Sequence, residues 1–163
     1  MAPPGAEPRH VSDRRLPLPR PRGQNRHMAF QQRFVIQTRG RGTQDITARV
    51  QETVAASGIG CGLAHVFVRH TSASVLICEN ADPQVRRDLE TFLSRTAPDG
   101  APWFGHDQEG PDDMPAHVRA VLTGMALSVP VTDGRLALGT WQGIFLYEHR
   151  TQGHRREVVV TVV

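Results

Sequence analysis

A chain of 163 residues that contains no lysine and carries a net charge of +3 excludes Schiff-base chemistry and a P-loop, because both need a lysine amine. The positive charge is uneven: residues 1–28 hold six arginines against Glu7 and Asp13, a net of +4, so residues 29–163 carry −1. That remainder has no electrostatic footprint for nucleic acid, and no apolar run approaches the ~18 residues of a membrane span.

Residues 1–28 hold six of the twelve prolines and almost no aromatic or β-branched residues. Such a segment cannot bury enough apolar area to offset its ordering entropy, so a disordered Arg/Pro-rich tail is expected. It has no apolar stretch resembling a secretory signal, which predicts a cytoplasmic protein. Met28 opens the first patterned segment and is a candidate translation start. Phe30 to Thr38 reads as a strand, with Phe34 and Ile36 alternating. A helix is predicted from Thr43 or Asp45, with Ile46, Val50 and Val54 on one face and Gly58 as its stop. Leu63 to His70, with Leu63, Val66 and Val68 apolar, and Ser74 to Cys78 read as strands. Cys61 and Cys78 are expected to be small buried hydrophobes in a reducing compartment.

In the next helix Asp82 can cap, Pro83 takes the first position, and Val85, Leu89, Phe92 and Leu93 form the expected buried stripe. Pro98 to Gly110 reads as loop. Asp113 is the expected cap of a short helix with Val118, Val121 and Leu122 inward. Leu127–Val131 and Leu136–Leu138 flank Asp133-Gly134, a hairpin signal. Gly143–Glu148 and Glu157–Val163 are the last strands, and VVVTVV suits a strand covered on both faces. The order predicts one α+β domain over 29–163, a mostly antiparallel β-sandwich with about three helices.

Three polar clusters interrupt these elements. His70 ends an apolar strand and is followed by Thr71 and Ser72, with Glu79, Asn80 and Asp82 farther on; an imidazole there can ligate a metal or carry a proton. The stretch HDQEGPDDMPAH (106–117) holds four carboxylates between two histidines. His117 lies one helical turn after Asp113, so the two can share a face, and His106 can fold back toward them. With His70 this makes three neutral imidazoles near carboxylates, adequate for a divalent cation with an open position. In GTWQG, Trp141 can stack on a planar heterocycle and Gln142 can read its polar edge. Glu148 and His149 alternate along a strand, so one of them should face the site. Glu148 lies with Leu146 and Ile144 on an apolar side and needs a partner there, for which Arg150 is the candidate.

Together, HTSAS with ENADPQVRRDLE (70–74, 79–90), HDQEGPDDMPAH (106–117) and DGRLALGTWQGIFLYEHR (133–150) resemble the YjbQ-like family, also called the secondary thiamine-phosphate synthase family. The resemblance covers about Phe30 to Val163. It implies an α+β sandwich that assembles as a homotrimer, and a site around His70, His106 and His117 with Glu148, Trp141 and Gln142 nearby. It also implies thiamine-phosphate synthase activity, in which a pyrimidine methyl pyrophosphate joins a thiazole phosphate and pyrophosphate leaves. The expected roles are catalytic for His70, His117 and Glu148, substrate-binding for Thr71, Ser72, Asn80, Trp141 and Gln142, and metal-ligating for His70, His106 and His117. The cofactor expectation is a divalent metal, zinc or magnesium, with no organic group. The partner expected is a phosphorylated small molecule. The alternatives are a non-catalytic trimeric binding protein for such a ligand, or a metal-dependent hydrolase.

Overall fold

The computed structural model describes residues 29–163; the expected tail and the candidate start at Met28 lie outside them. Strand β1 (Phe30–Gln37) buries Phe34 and Ile36 on one face, as the alternation predicts. The short strand β2 (Gly42–Asp45) replaces the expected helix start. Its backbone is claimed by strand β7 (Gln142–Glu148), against which Gly42 pairs with Glu148 and Asp45 with Phe145. Helix α1 (Thr47–Ser57) follows, and Asp45 Oδ1 accepts the Thr47 amide at 2.8 Å. Ile46, Val50 and Val54 are buried, and Gly58 ends the helix at φ 67°.

Strands β3 (Cys61–Val68) and β4 (Ala73–Glu79), helix α2 (Pro83–Thr96) and helix α3 (Asp113–Thr123) come next. Strands β5 (Ala126–Thr132) and β6 (Arg135–Leu136) form the predicted hairpin. Asp133 and Gly134 both have positive φ, 52° and 72°, which matches the right-handed twist of the flanking strands. Strand β8 (Arg155–Val162) closes the chain. The antiparallel strands make a five-stranded sheet, β1-β8-β3-β5-β6, and a three-stranded sheet, β2-β7-β4. Their inner faces meet α1 in one core, with Val66, Val158 and Val160 from the larger sheet and Val75, Ile144 and Leu146 from the smaller.

In β3 the inner face is Ala64, Val66 and Val68, and Leu63 is exposed on the other. Several expected burials are corrected. In β8 only Val158, Val160 and Val162 are fully buried, because among the described residues no helix covers the outer face of the larger sheet. Cys61 is exposed and Cys78 half-buried. Asp82 and Pro83 start α2 as expected, with Asp82 Oδ1 accepting the Gln84 amide at 2.7 Å, but of the predicted stripe only Leu93 is buried. In α3 the inner face is Pro115, Ala116, Arg119 and Ala120, leaving Val121 and Leu122 exposed. Small residues let α3 approach β4 closely, and Arg119 uses the space to reach Glu90 at 2.8 Å.

Two glycines bring the loops at 38–42 and 150–153 together. A Cβ on Gly40 would lie 2.6 Å from the Thr151 carbonyl oxygen, and one on Gly153 would lie 2.4 Å from that of Thr38. This approach sets Thr38 and Arg41 beside the end of β7. Among the described residues, no helix is long and apolar enough to cross a membrane.

Candidate metal centre

Arg150, two residues past β7, gathers the segment that leads into α3. Its guanidinium binds Asp113 Oδ1, reaches Asp112 Oδ2 at 3.3 Å, and donates to the Glu109 carbonyl at 2.7 Å. The Thr151 amide and hydroxyl donate to Asp112 Oδ2 at 2.8 and 2.9 Å. Burial opposes ionisation of Asp112, but Thr151 and Arg150 outweigh it and hold its carboxyl down at about 2. Neither acid is a simple helix cap: Asp112 occupies the cap position without a side-chain cap bond, and Asp113 is the first helical residue.

Arg150 takes one oxygen of Asp113 and leaves the other facing two imidazoles. Asp113 Oδ2 lies 2.8 Å from His106 Nε2 and 3.5 Å from His117 Nε2, and the two rings are 5.4 Å apart. Although near in distance, Oδ2 is buried and accepts no aligned hydrogen bond. His117 Nδ1 lies 3.0 Å from the Thr71 carbonyl oxygen, which can only accept, so Nδ1 carries a proton. In the neutral ring Nε2 then presents a lone pair to the carboxylate. Lone pairs converge like this where a cation lies between them, and a carbonyl holding the far ring nitrogen is the usual support of a ligating histidine. His106, Asp113 and His117 each offer a donor atom within 4.8 Å of the others. The residues present fit a divalent cation.

His70 stands apart from this group. Its Nε2 accepts the Glu157 amide at 2.8 Å, and burial, with the charge of Arg156, lowers its pKa. Asp113 takes the third place that the sequence reading gave to His70. Thr71 takes part through its carbonyl. Ser72 is tied into the frame, its Oγ and carbonyl accepting from Arg156 at 3.1 and 3.3 Å.

Glu148 is 1% exposed, which removes it from contact with a substrate. Its partner is Arg156, with Nε 2.7 Å from Oε2, and Thr38 donates at 2.8 Å; Arg150 contributes only its backbone amide. Burial alone would raise the Glu148 pKa, but these donors lower it. His149, expected on the face opposite Glu148, is buried as well. It lies 2.8 Å from Ser74 Oγ and 4.5 Å from the Tyr147 ring. Burial, then the charge of Arg119, pushes it down to about 3, so it is neutral.

The GTWQG loop lies at the other end of β7. Glu148 lies six residues along the strand from Gln142, about 20 Å away. Asn80 donates to the carbonyls of Thr140 and Gln142, both at 3.2 Å, and Gln142 Oε1 accepts the Gly139 amide. Both amides brace the loop, and Trp141 is exposed on it. Within one chain these residues do not meet the histidines.

Sequence reasoning missed Arg119 and Arg41. Arg119 sits between Ala116 and Ala120 on a small-residue face, a spacing that could have marked it as inward. Arg41 binds Asp99 with two bonds of 2.9 Å and the His149 carbonyl, which no local pattern announces.

A family model described as UPF0047 protein YjbQ-like matches residues 32–163. The chain belongs to this family. Among YjbQ-like relatives, a UPF0047 protein of Synechocystis sp. is 48% identical over 81% of this chain and 90% of its own length. The UPF0047 protein YjbQ of Salmonella typhimurium is 41% identical over 83% and 98%. Among solved structures, a YbjQ-like protein of unknown function from Sulfolobus solfataricus superposes with a TM-score of 0.76 at 26% identity, covering 83% of this chain and 96% of that one. A YjbQ/UPF0047 protein of Clostridium acetobutylicum gives 0.74 at 36%, covering 80% and 98%.

Proposed function

We propose that this YjbQ-like chain is a metal-assisted enzyme acting on a phosphorylated small molecule. The observation that carries this reading is Asp113 Oδ2, buried without a hydrogen bond between two imidazole Nε2 atoms. Two imidazoles and one carboxylate favour zinc over magnesium, which prefers oxygen ligands and water. Such an ion supplies a positive centre for a phosphate or pyrophosphate oxygen. Arg150 fixes the carboxylate and the Thr71 carbonyl fixes the tautomer of His117, so the donors need little rearrangement on binding.

The reaction to be tested first is thiamine-phosphate synthesis. There the carbon–oxygen bond of the pyrimidine methyl pyrophosphate breaks, pyrophosphate departs, and the thiazole nitrogen forms the new carbon–nitrogen bond. The protein is proposed to act in the cytoplasm as a homotrimer, a reading supported by Val35, Leu63 and Phe67, all exposed on the uncovered face of the larger sheet. The test is elemental analysis of purified protein together with a condensation assay of the native chain and His117→Ala. A stoichiometric divalent metal and product formation, both lost in the variant, are expected. An unchanged rate and metal content would remove His117 from the site.

A further inference from the structure

We propose that residues 102–108 are a flap over the cavity beside α3, latched shut through His106 when a cation occupies the metal centre. This rests on the metal-centre reading and adds a control of access to it. The segment lies in the connection between α2 and α3, and both its ends are pinned. Before it, Arg41 holds Asp99 with two bonds of 2.9 Å, and the Gly100 amide donates to the Pro111 carbonyl at 2.9 Å, which closes the base of the loop. After it, the Glu109 carbonyl accepts from Arg150 at 2.7 Å. Gly100 and Gly110 have φ of 66° and 109°, so the chain turns at both ends through conformations that a side chain would strain.

Between these anchors the chain stands off from the body. Its backbone makes two hydrogen bonds, both local: the Phe104 amide donates to the Ala101 carbonyl at 3.1 Å, and the Asp107 carbonyl accepts the Gly110 amide at 3.0 Å. Among the described residues, the one polar contact from 102–108 to the rest of the protein is His106 Nε2 with Asp113 Oδ2, at 2.8 Å. Trp103 is 70% exposed, and a Cβ on Gly105 would meet nothing within 4 Å. A cavity of about 400 Å³ lies beneath, with Pro102, Phe104, His106 and Asp107 of the flap on one side and Met114 and Pro115 of α3 on the other. A stretch with so few buried contacts, over open space, opens at low cost.

Asp113 and His117 stand on α3 itself, so two of the three proposed ligands are fixed and the third rides on the flap. The carboxylate alone gives His106 no aligned hydrogen bond, which leaves the flap little to hold it. A cation shared by all three donors ties the flap to α3. Because that bond forms only in the shut state, it shifts the flap's equilibrium toward closure. Shut, the flap excludes water from the cation and retains a small molecule that has entered the cavity first.

The test is chymotrypsin cleavage of the full chain after Trp103 and Phe104, with and without zinc, alongside zinc affinity from competition with a chelator. At free zinc about ten times its Kd, cleavage is expected to slow about tenfold. Cleavage after Trp141, exposed at the far end of β7, should not change. Backbone nitrogen relaxation should agree, the order parameters of Gly105 and His106 rising from below about 0.6 to about 0.85 with zinc. The His106 side chain is 52% exposed, so His106→Ala is expected to fold, and its flap should be cleaved at the zinc-free rate at every zinc concentration. Zinc that binds the native chain without slowing cleavage, that protects Trp141 equally, or that protects His106→Ala equally overturns the flap. The absence of any zinc binding overturns the metal-centre reading itself, and the latch with it.

Discussion

Arg150 occupies Asp113 Oδ1 and so aims Oδ2 of the same carboxylate at His106 and His117. The same guanidinium holds the Glu109 carbonyl and Asp112, so one side chain sets both the proposed carboxylate ligand and the path of the loop behind it. Because its bonds are planar and bidentate in character, lysine cannot replace it. Arg150→Lys is expected to lower zinc affinity by about 10- to 100-fold, measured by competition with a chelator. Zinc affinity within twofold of the native chain would show that the carboxylate needs no such support.

Glu148 and Arg156 form a buried ion pair, 1% and 4% exposed in their side chains. Removing one charge leaves the other uncompensated. Glu148→Gln is expected to destabilise the fold by about 3 kcal/mol, read from urea unfolding. Because Glu148 touches none of the three proposed ligands, zinc affinity of the folded variant should fall less than in Arg150→Lys. A direct catalytic role would instead abolish turnover with stability unchanged.

His149 links stability to pH. Its folded pKa of about 3 lies below the ordinary 6.5, so the unfolded chain binds the extra proton first as pH falls. Stability from this group is full above about pH 6.5 and is lost toward pH 3, with a slope near 1.4 kcal/mol per pH unit in between. Asp112, held at about 2, adds a loss of the same sign at lower pH, from near pH 4 downward. Unfolding free energies measured from pH 7 to pH 4 should fall steeply in the native chain and less in His149→Asn. Parallel profiles would contradict the buried neutral histidine.

Phe67 lies 43% exposed on the outer face of the larger sheet, near Val159. If that face is covered by further copies, Phe67→Glu places a charge in the interface and should yield monomer in sedimentation velocity. An unchanged oligomer would locate the interface elsewhere.

Trp141 stands at the end of β7 remote from Glu148. Trp141→Ala should change stability by less than about 0.5 kcal/mol, as expected of an exposed side chain outside the core, and leave zinc affinity unaltered. A fall in zinc affinity would bring the loop to the metal centre.

Local chemistry made much of this legible. The Asp133-Gly134 turn, the Asp82-Pro83 helix start and the alternation of Phe34 and Ile36 depend on neighbours in the chain, so the amino-acid order carries them. The pairing of Asp113 with His117 follows from one helical turn. Other assignments failed where a distant partner decides. Val121 and Leu122 have the spacing of a buried stripe, yet α3 turns its alanines and Arg119 inward, because Glu90 on α2 offers that arginine an ion pair. His70 has the composition of a ligand, yet the Glu157 amide on β8 takes its Nε2.

The sequence by itself therefore determined the class of fold, its hairpin and helix starts, and the dense His/Asp segment at 106–117, since periodicity, turn geometry and capping act over a few residues. Only the tertiary structure decided that Asp113 and not His70 joins the two histidines, that Glu148 belongs to Arg156, and that Trp141 lies far from them. Each of those outcomes is a competition for one lone pair or one charge among groups brought together by chain reversal. The winner depends on distances in space that spacing along the chain does not encode.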